Sequence, residues 1–209
     1  MASQVLSIEI DKQTLDQVKY MLDTVKFGVN DALRIAANKT AETAQSRVVK
    51  KVASVVTLTQ KRVKQDTKLD RANYGNLSSK VTVKSKPIPI TEFNTGAQLK
   101  SGVNIEVRRG TKIKYKHAFV AQMPNIYSEK PGHVGIFERN KFSEDRQKRG
   151  NPTPGGYVGR FGISEMWGPR LSLVFHSNGE EEVMKEMSDF YPKKLLEQAV
   201  FLLNRAFNK

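Results

Sequence analysis

The chain has 209 residues, with 35 Lys and Arg against 21 Asp and Glu for a formal charge of +14, and it contains no cysteine. That length allows one sizeable core, and the absence of thiols excludes disulfides, thiolate metal sites and cysteine nucleophiles and fits a reducing cytoplasm. No apolar run approaches the ~20 residues that span a bilayer, and the start shows no basic stretch leading into an apolar one, so neither a membrane partner nor a signal peptide is expected.

LSIEID at the start reads as a short strand with Leu6, Ile8 and Ile10 on one side. Helical spacing follows, in Leu15, Val18, Met21, Leu22 and Val25, and Gly28 breaks it. A longer helix should begin at Asn30 or Asp31, either able to cap it, with a stripe of Leu33, Ala36, Ala37, Thr40, Ala41, Ala44, Val48, Val52 and Val55. Small residues dominate that stripe, so another element can approach closely. Thr59 should cap a short basic helix through about Asp66, and Lys68 and Arg71 carry the basic run into the next loop.

After a turn at Asn73–Asn76, LSSKVTVKSK alternates as a strand, with Leu77, Val81 and Val83 inward and Lys80, Lys84 and Lys86 outward. Pro87 and Pro89 lack amide protons and keep KPIPITEF out of a central strand; Ile88, Ile90 and Phe93 should pack inward from an extended crossover. Asn94 to Lys100 reads as a polar loop. The hairpin GVNIEVRRGTKIKYKHAFVAQM, Gly102 to Met123, is the centre of the pattern. Val103, Ile105 and Val107 line one limb, and Ile113, Tyr115, His117, Phe119, Ala121 and Met123 the other. A loop of Arg109, Gly110 and Thr111 would set Val107 opposite Ile113, Ile105 opposite Tyr115 and Glu106 opposite Lys114.

A strand is expected around His133 to Arg139. Lys141 to Arg160 holds charges, two prolines and four glycines with few apolar residues, and reads as a long mobile arm. Phe161, Ile163, Met166 and Trp167 should anchor the chain against the core, the preferred reading, or against a neighbour, and Leu171, Leu173 and Phe175 alternate as one more strand or an extended lead-in. Asn178 with Glu181 resembles a capping box, three glutamates suit a helix start, and Pro192 should restart or kink the helix near Tyr191. Leu195, Leu196, Ala199, Val200, Leu203 and Phe207 are the apolar face of the last segment.

The charge is concentrated. Residues 1–49 and 171–209 have net charges of 0 and −1, whereas residues 50–170 carry +15. Such a block calls for an acidic partner, either nucleic acid or an acidic protein surface. Lys61, Arg62, Lys64, Lys80, Lys84, Arg108, Lys112, Lys114 and Lys116 are the candidate contacts, and lysines at alternate positions of two strands would form a single charged face if those strands shared a sheet. Lysine also guards edge strands against unwanted pairing. Within the arm, Arg146, Lys148, Arg149, Tyr157 and Arg160 are candidates for an assembly contact.

A catalytic constellation is not legible. His117, His133 and His176 form no metal-type pair, and His117 falls where a core histidine is expected. There is no GxSxG elbow, phosphate loop or dinucleotide fingerprint; Glu180 to Glu182 are explained by helix-start electrostatics, and nothing in the spacing of Asp66, Asp70 and Glu92 makes them converge. No helix-turn-helix, zinc finger or RNP signature is present, so a DNA contact should be sequence-blind and salt-sensitive.

Taken in order, the small-residue helical half, VVTLTQKRVKQDTKLDRA, the strand into KPIPITEF, HAFVAQM followed by GIFERN, and ISEMWGP resemble the prophage minor tail protein Z family, across roughly Gln13 to Phe207. That resemblance implies a non-enzymatic virion protein without cofactors, made in the host cytoplasm and placed at the tail-neck junction. It implies a homo-oligomeric ring, hexameric in this expectation, touching the tail terminator or tail tube protein and the neck or head-completion protein; the charge block adds an expected sequence-independent contact to packaged DNA. The alternative is a sequence-independent DNA-binding protein, such as a nuclease accessory. The expected fold is α+β: a single domain over residues 1–209, with an antiparallel sheet of about four or five strands packed on a long N-terminal helix and C-terminal helices.

Overall fold

The computed structural model describes residues 4–6, 11–23, 25, 28–123, 132–139 and 163–208. The chain divides into two compact units, one of residues 1–55, 59–86 and 170–209 and the other of residues 56–58 and 87–169. The expected arm at 141–160, with Ile8 and Ile10, lies outside the described residues.

The first unit is mainly helical. After β1 (Gln4–Leu6), α1 (Lys12–Leu22) is capped by Asp11, whose carboxylate accepts the Thr14 amide at 2.9 Å and the Thr14 hydroxyl. These bonds hold the Asp11 carboxyl below its ordinary pKa, the Thr14 hydroxyl contributing most. α2 (Gly28–Val55) starts earlier than Asn30, and Gly28 is its first residue instead of a break. A Cβ there would lie 2.9 Å from that of Val25, so glycine permits the tight turn out of α1. Asp31 falls in the first turn of α2, where the helix dipole favours a carboxylate. It accepts from Tyr74 Oη at 2.8 Å and Arg34 Nη2 at 3.0 Å, and the tyrosine bond contributes most to its lowered pKa.

The small-residue stripe of α2 is buried as expected from Ala36 to Val52. α3 (Gln60–Gln65) is capped by Thr59, whose hydroxyl accepts the Arg62 amide at 3.3 Å. Lys68 lies on a strand and not in a loop: β2 (Thr67–Asp70) pairs antiparallel with β3 (Lys80–Val83), which pairs with β1 on its other side. The intervening turn closes with Asn73 donating to the Asn76 carbonyl at 2.8 Å.

The alternating LSLVF is helical: α4 (Leu171–Asn178) buries Leu171, Ser172 and Phe175 on one face. A five-residue run with four apolar side chains satisfies either period, and spacing of four puts Leu171 and Phe175 together. Asn178 ends α4, its side-chain amide donating to the Val174 carbonyl at 2.7 Å, and Gly179 holds the cap position of α5 (Glu180–Phe207). The three glutamates occupy the first turn of α5, and the helix continues through Pro192. Val18, Leu22, Ala36, Tyr191, Leu195 and Ala199 form the shared core of α1, α2 and α5, whereas Val200 and Phe207 stay exposed. A cavity of about 490 Å³ lies over Ala37, Thr40, Ala41 and Ala44, with Leu6, Val81 and Tyr191 on its walls.

The second unit is built from strands. β4 (Pro87–Pro89) leads through one 3-10 turn (Ile90–Glu92) into β5 (Asn94–Leu99), a strand where a polar loop was expected. Ile88, Ile90 and Phe93 are buried as the sequence indicates. β6 (Gly102–Glu106) lies between β5 and β7 (Ile113–Tyr115). The second limb of the hairpin is broken at Lys116–His117. β8 (Ala118–Gln122) then pairs with β9 (Val134–Arg139), which pairs with β10 (Ile163–Glu165). Phe119 and Phe137 meet across β8 and β9 at 6.2 Å between ring centroids. β11 (Trp167–Arg170) pairs with β4, so the first and last strands of this unit lie side by side. Trp167 is 50% exposed and does not anchor the core; Gly168 instead packs on the Phe93 ring, where a Cβ would come within 2.4 Å.

The fold is α+β with antiparallel sheets, a long N-terminal helix and C-terminal helices. Among the described residues the strands are distributed over four sheets of two or three strands instead of gathering in one.

Candidate functional site

The basic residues fall into two groups, one in each unit. In the strand-rich unit the loop between β6 and β7 carries Arg108, Arg109 and Lys112, and β7 and the following turn carry Lys114 and Lys116. Arg108, Lys112, Lys114 and Lys116 are all exposed. The register sets Ile105 opposite Ile113, Asn104 opposite Lys114 and Val103 opposite Tyr115. This is two residues from the expected pairing, so the alternation is kept while the loop lengthens, but Ile113, expected inside, is 49% exposed at the start of β7. Glu106 is thereby released from Lys114. Its carboxylate accepts the Gly110 amide at 2.8 Å and the Asn94 side-chain amide at 2.9 Å. The Gly110 bond is the largest cause of a pKa held below the ordinary carboxylate value, with Lys112 and Arg109 adding attraction.

Gly110 adopts φ +80°, a left-handed conformation that lets its amide turn toward Glu106. Thr57 pins the same loop: its amide donates to Val107 O at 3.0 Å, and its hydroxyl accepts the Asn94 amide at 3.1 Å. The acid therefore shapes the loop while its cations face solvent. His117, expected inside, sits exposed in the turn after β7, because the strand ends at Tyr115. His133 is also exposed, with Nε2 2.5 Å from Glu165 Oε1.

In the helical unit, Val63 is fully buried and fixes the roll of α3. Lys61 and Lys64, three apart, then flank it on one side, and Arg62 turns away into a bond with Asp66 at 2.5 Å. Lys84 reaches the same carboxylate at 3.4 Å, while Lys80 is exposed on β3. β3 and β7 belong to different sheets, so their lysines do not form the single charged sheet face that their spacing suggested.

The convergence lies elsewhere. A recess of about 210 Å³ is lined by Gln45, Ser46, Val49 and Lys50 of α2 and by Gln60, Lys61 and Lys64 of α3. Gln45 is committed to the Thr67 carbonyl at 2.9 Å and the Ser46 hydroxyl to the Glu42 carbonyl at 3.0 Å, so Gln60 and the three ammonium groups remain to meet a ligand. Lys50 and Gln60 were not among the candidates read from the sequence. The usable signal was Lys50 lying one turn beyond Ser46, on the face of α2 away from the alanine stripe.

No group of three or more His, Asp or Glu side chains able to hold a metal occurs among the described residues. Asp66 and Asp70 are engaged with Arg62 and Lys68. Arg146, Lys148, Arg149, Tyr157 and Arg160 lie outside the described residues. No helix of the structure is long and apolar enough to cross a membrane. No curated protein and no solved structure matches the chain. The family model of prophage minor tail protein Z (GPZ) matches residues 14–137, the span that holds both basic groups.

Proposed function

The chain belongs to the prophage minor tail protein Z family and is thus a structural component of a phage tail, and from that premise we propose that it is a tail completion adaptor at the head-proximal end. It acts there by shape and charge complementarity, without a reaction or a cofactor. The match over residues 14–137 carries this reading. The solvent-facing Arg108, Lys112, Lys114 and Lys116 support it, since they present positive charge on the surface to an acidic partner.

Copies of the chain form a ring, six in number, that meets the tail terminator or tail tube on one side and the neck on the other. A contact between identical patches closes at two copies, so each subunit must offer one patch to a different patch of the next. Electron microscopy of virions carrying a tag on this chain tests the placement. Label at the head-proximal end of the tail is expected; label at the tail tip or along the tube overturns it. Reversing charge at Lys112, Lys114 and Lys116 should leave the melting temperature within about 2 °C, as for surface changes generally, while separate heads and tails accumulate. Normal joining in that variant removes the hairpin from the interface.

A further inference from the structure

We infer that the recess between α2 and α3 is a phosphate site that takes phosphodiester groups of a nucleic-acid backbone. Lys50 reaches it from α2, Lys61 and Lys64 from α3, and no carboxylate lines it. Several cations on the neighbouring surface of the helical unit are matched by acids: Arg47 meets Glu186 at 2.8 Å, Arg71 meets Glu42 at 2.8 Å, and Lys51 meets Glu182. None of the three recess lysines has an ion pair among the described residues. Three like charges on one concavity repel one another until an anion enters.

The guanidinium fork of arginine matches carboxylate and phosphate alike, and the only arginine of α3, Arg62, is withdrawn to Asp66. What faces the recess is a set of ammonium point charges on two helices, which suits the several oxygens of a tetrahedral phosphate. The Gln60 side chain adds an uncharged donor at the same rim. Nothing in this arrangement reads base edges, so recognition is independent of sequence. The site does not depend on the ring or on the tail-neck placement.

The test is fluorescence anisotropy with the full chain and labelled duplex DNA across a salt series. The variant Lys50→Gln/Lys61→Gln/Lys64→Gln is compared with Lys39→Gln/Lys185→Gln/Lys193→Gln, which removes the same charge from exposed sites on the same unit. Both should melt as the native chain does. The recess variant should bind about tenfold more weakly, with a salt slope shallower by about two to three, one for each lysine removed from a phosphate. The control should lose little. Inorganic phosphate should compete only at far higher concentration than duplex DNA, since it occupies the recess without a neighbouring backbone. Equal losses in the two variants overturn the inference, because binding would then follow net charge alone. Competition by polyglutamate as effective as by unlabelled DNA overturns it in favour of an acidic protein surface. Either reversal leaves tail completion standing, which particle joining reads separately.

Discussion

Thr40 sits on the inward face of α2, 4% exposed, with a hydroxyl that has no protein hydrogen-bond partner among the described residues. A buried hydroxyl in that state costs about 1–3 kcal/mol. Thr40→Val keeps the shape and removes the unpaired group, so it should stabilise the chain by about 1 kcal/mol and raise the melting temperature by about 2–4 °C in calorimetry. Glu106 makes the opposite case, a carboxylate better satisfied folded than unfolded. Its lowered folded pKa gives stability that is present above the unfolded value of about 4.3 and lost as pH falls through the folded one. Glu106→Gln should therefore melt below the native chain at pH 7, and the gap should close as the pH drops to about 3. An equal gap at both pH values would remove the charge from the explanation. At this scale the sequence was least legible. His117 and Trp167 have the right types for a core but sit at a strand end and an edge, which alternation does not reveal.

Periodicity carried more at the level of elements. The stripe of α2, the Thr59 cap, the extended course of the proline-bearing segment that becomes β4 and the β6–β7 pair follow from spacing and turn chemistry. The register of that pair was two residues off, which preserves the alternation because side chains repeat every two residues, yet Ile113 at the start of β7 is left exposed. The pairing also requires Gly102, at φ +121°, where a Cβ would fall 2.0 Å from the Tyr115 carbonyl oxygen. Gly102→Ala should cost at least about 2 kcal/mol and weaken amide protection in β6 and β7 during hydrogen exchange. In the helical unit Leu195 is fully buried between α5 and its neighbours, and Leu195→Ala should cost about 3 kcal/mol in denaturant unfolding. Short apolar stretches were ambiguous: LSLVF became α4 because its packing face, not its alternation, had a core to meet. β2 and β5 were missed for the opposite reason, since polar strands have no apolar signal.

Charge was the most legible property of the whole molecule, and its location the least. The excess of positive charge between residues 50 and 170 is plain in the sequence. Which cations are spent on internal pairs, and which converge, depends on contacts between segments remote in sequence. Arg62 and Lys84 were candidates and are partly neutralised by Asp66; Lys50 was not, and lines the recess. Self-repulsion at +14 should make the melting temperature rise between about 10 and 150 mM sodium chloride, as the screening length shrinks from ~30 to ~8 Å. A fall over that range would mean that surface ion pairs outweigh the repulsion.

The pairing of β4 with β11 brackets everything between them, because the chain departs and comes back through adjacent strands. Residues 87–169 are in this sense a cassette. Its contents can lengthen, shorten or be exchanged without redirecting β3 or α4, provided that Val56 and Leu58 find new cover. A cassette bracketed in this way can change while the helical unit keeps its helices.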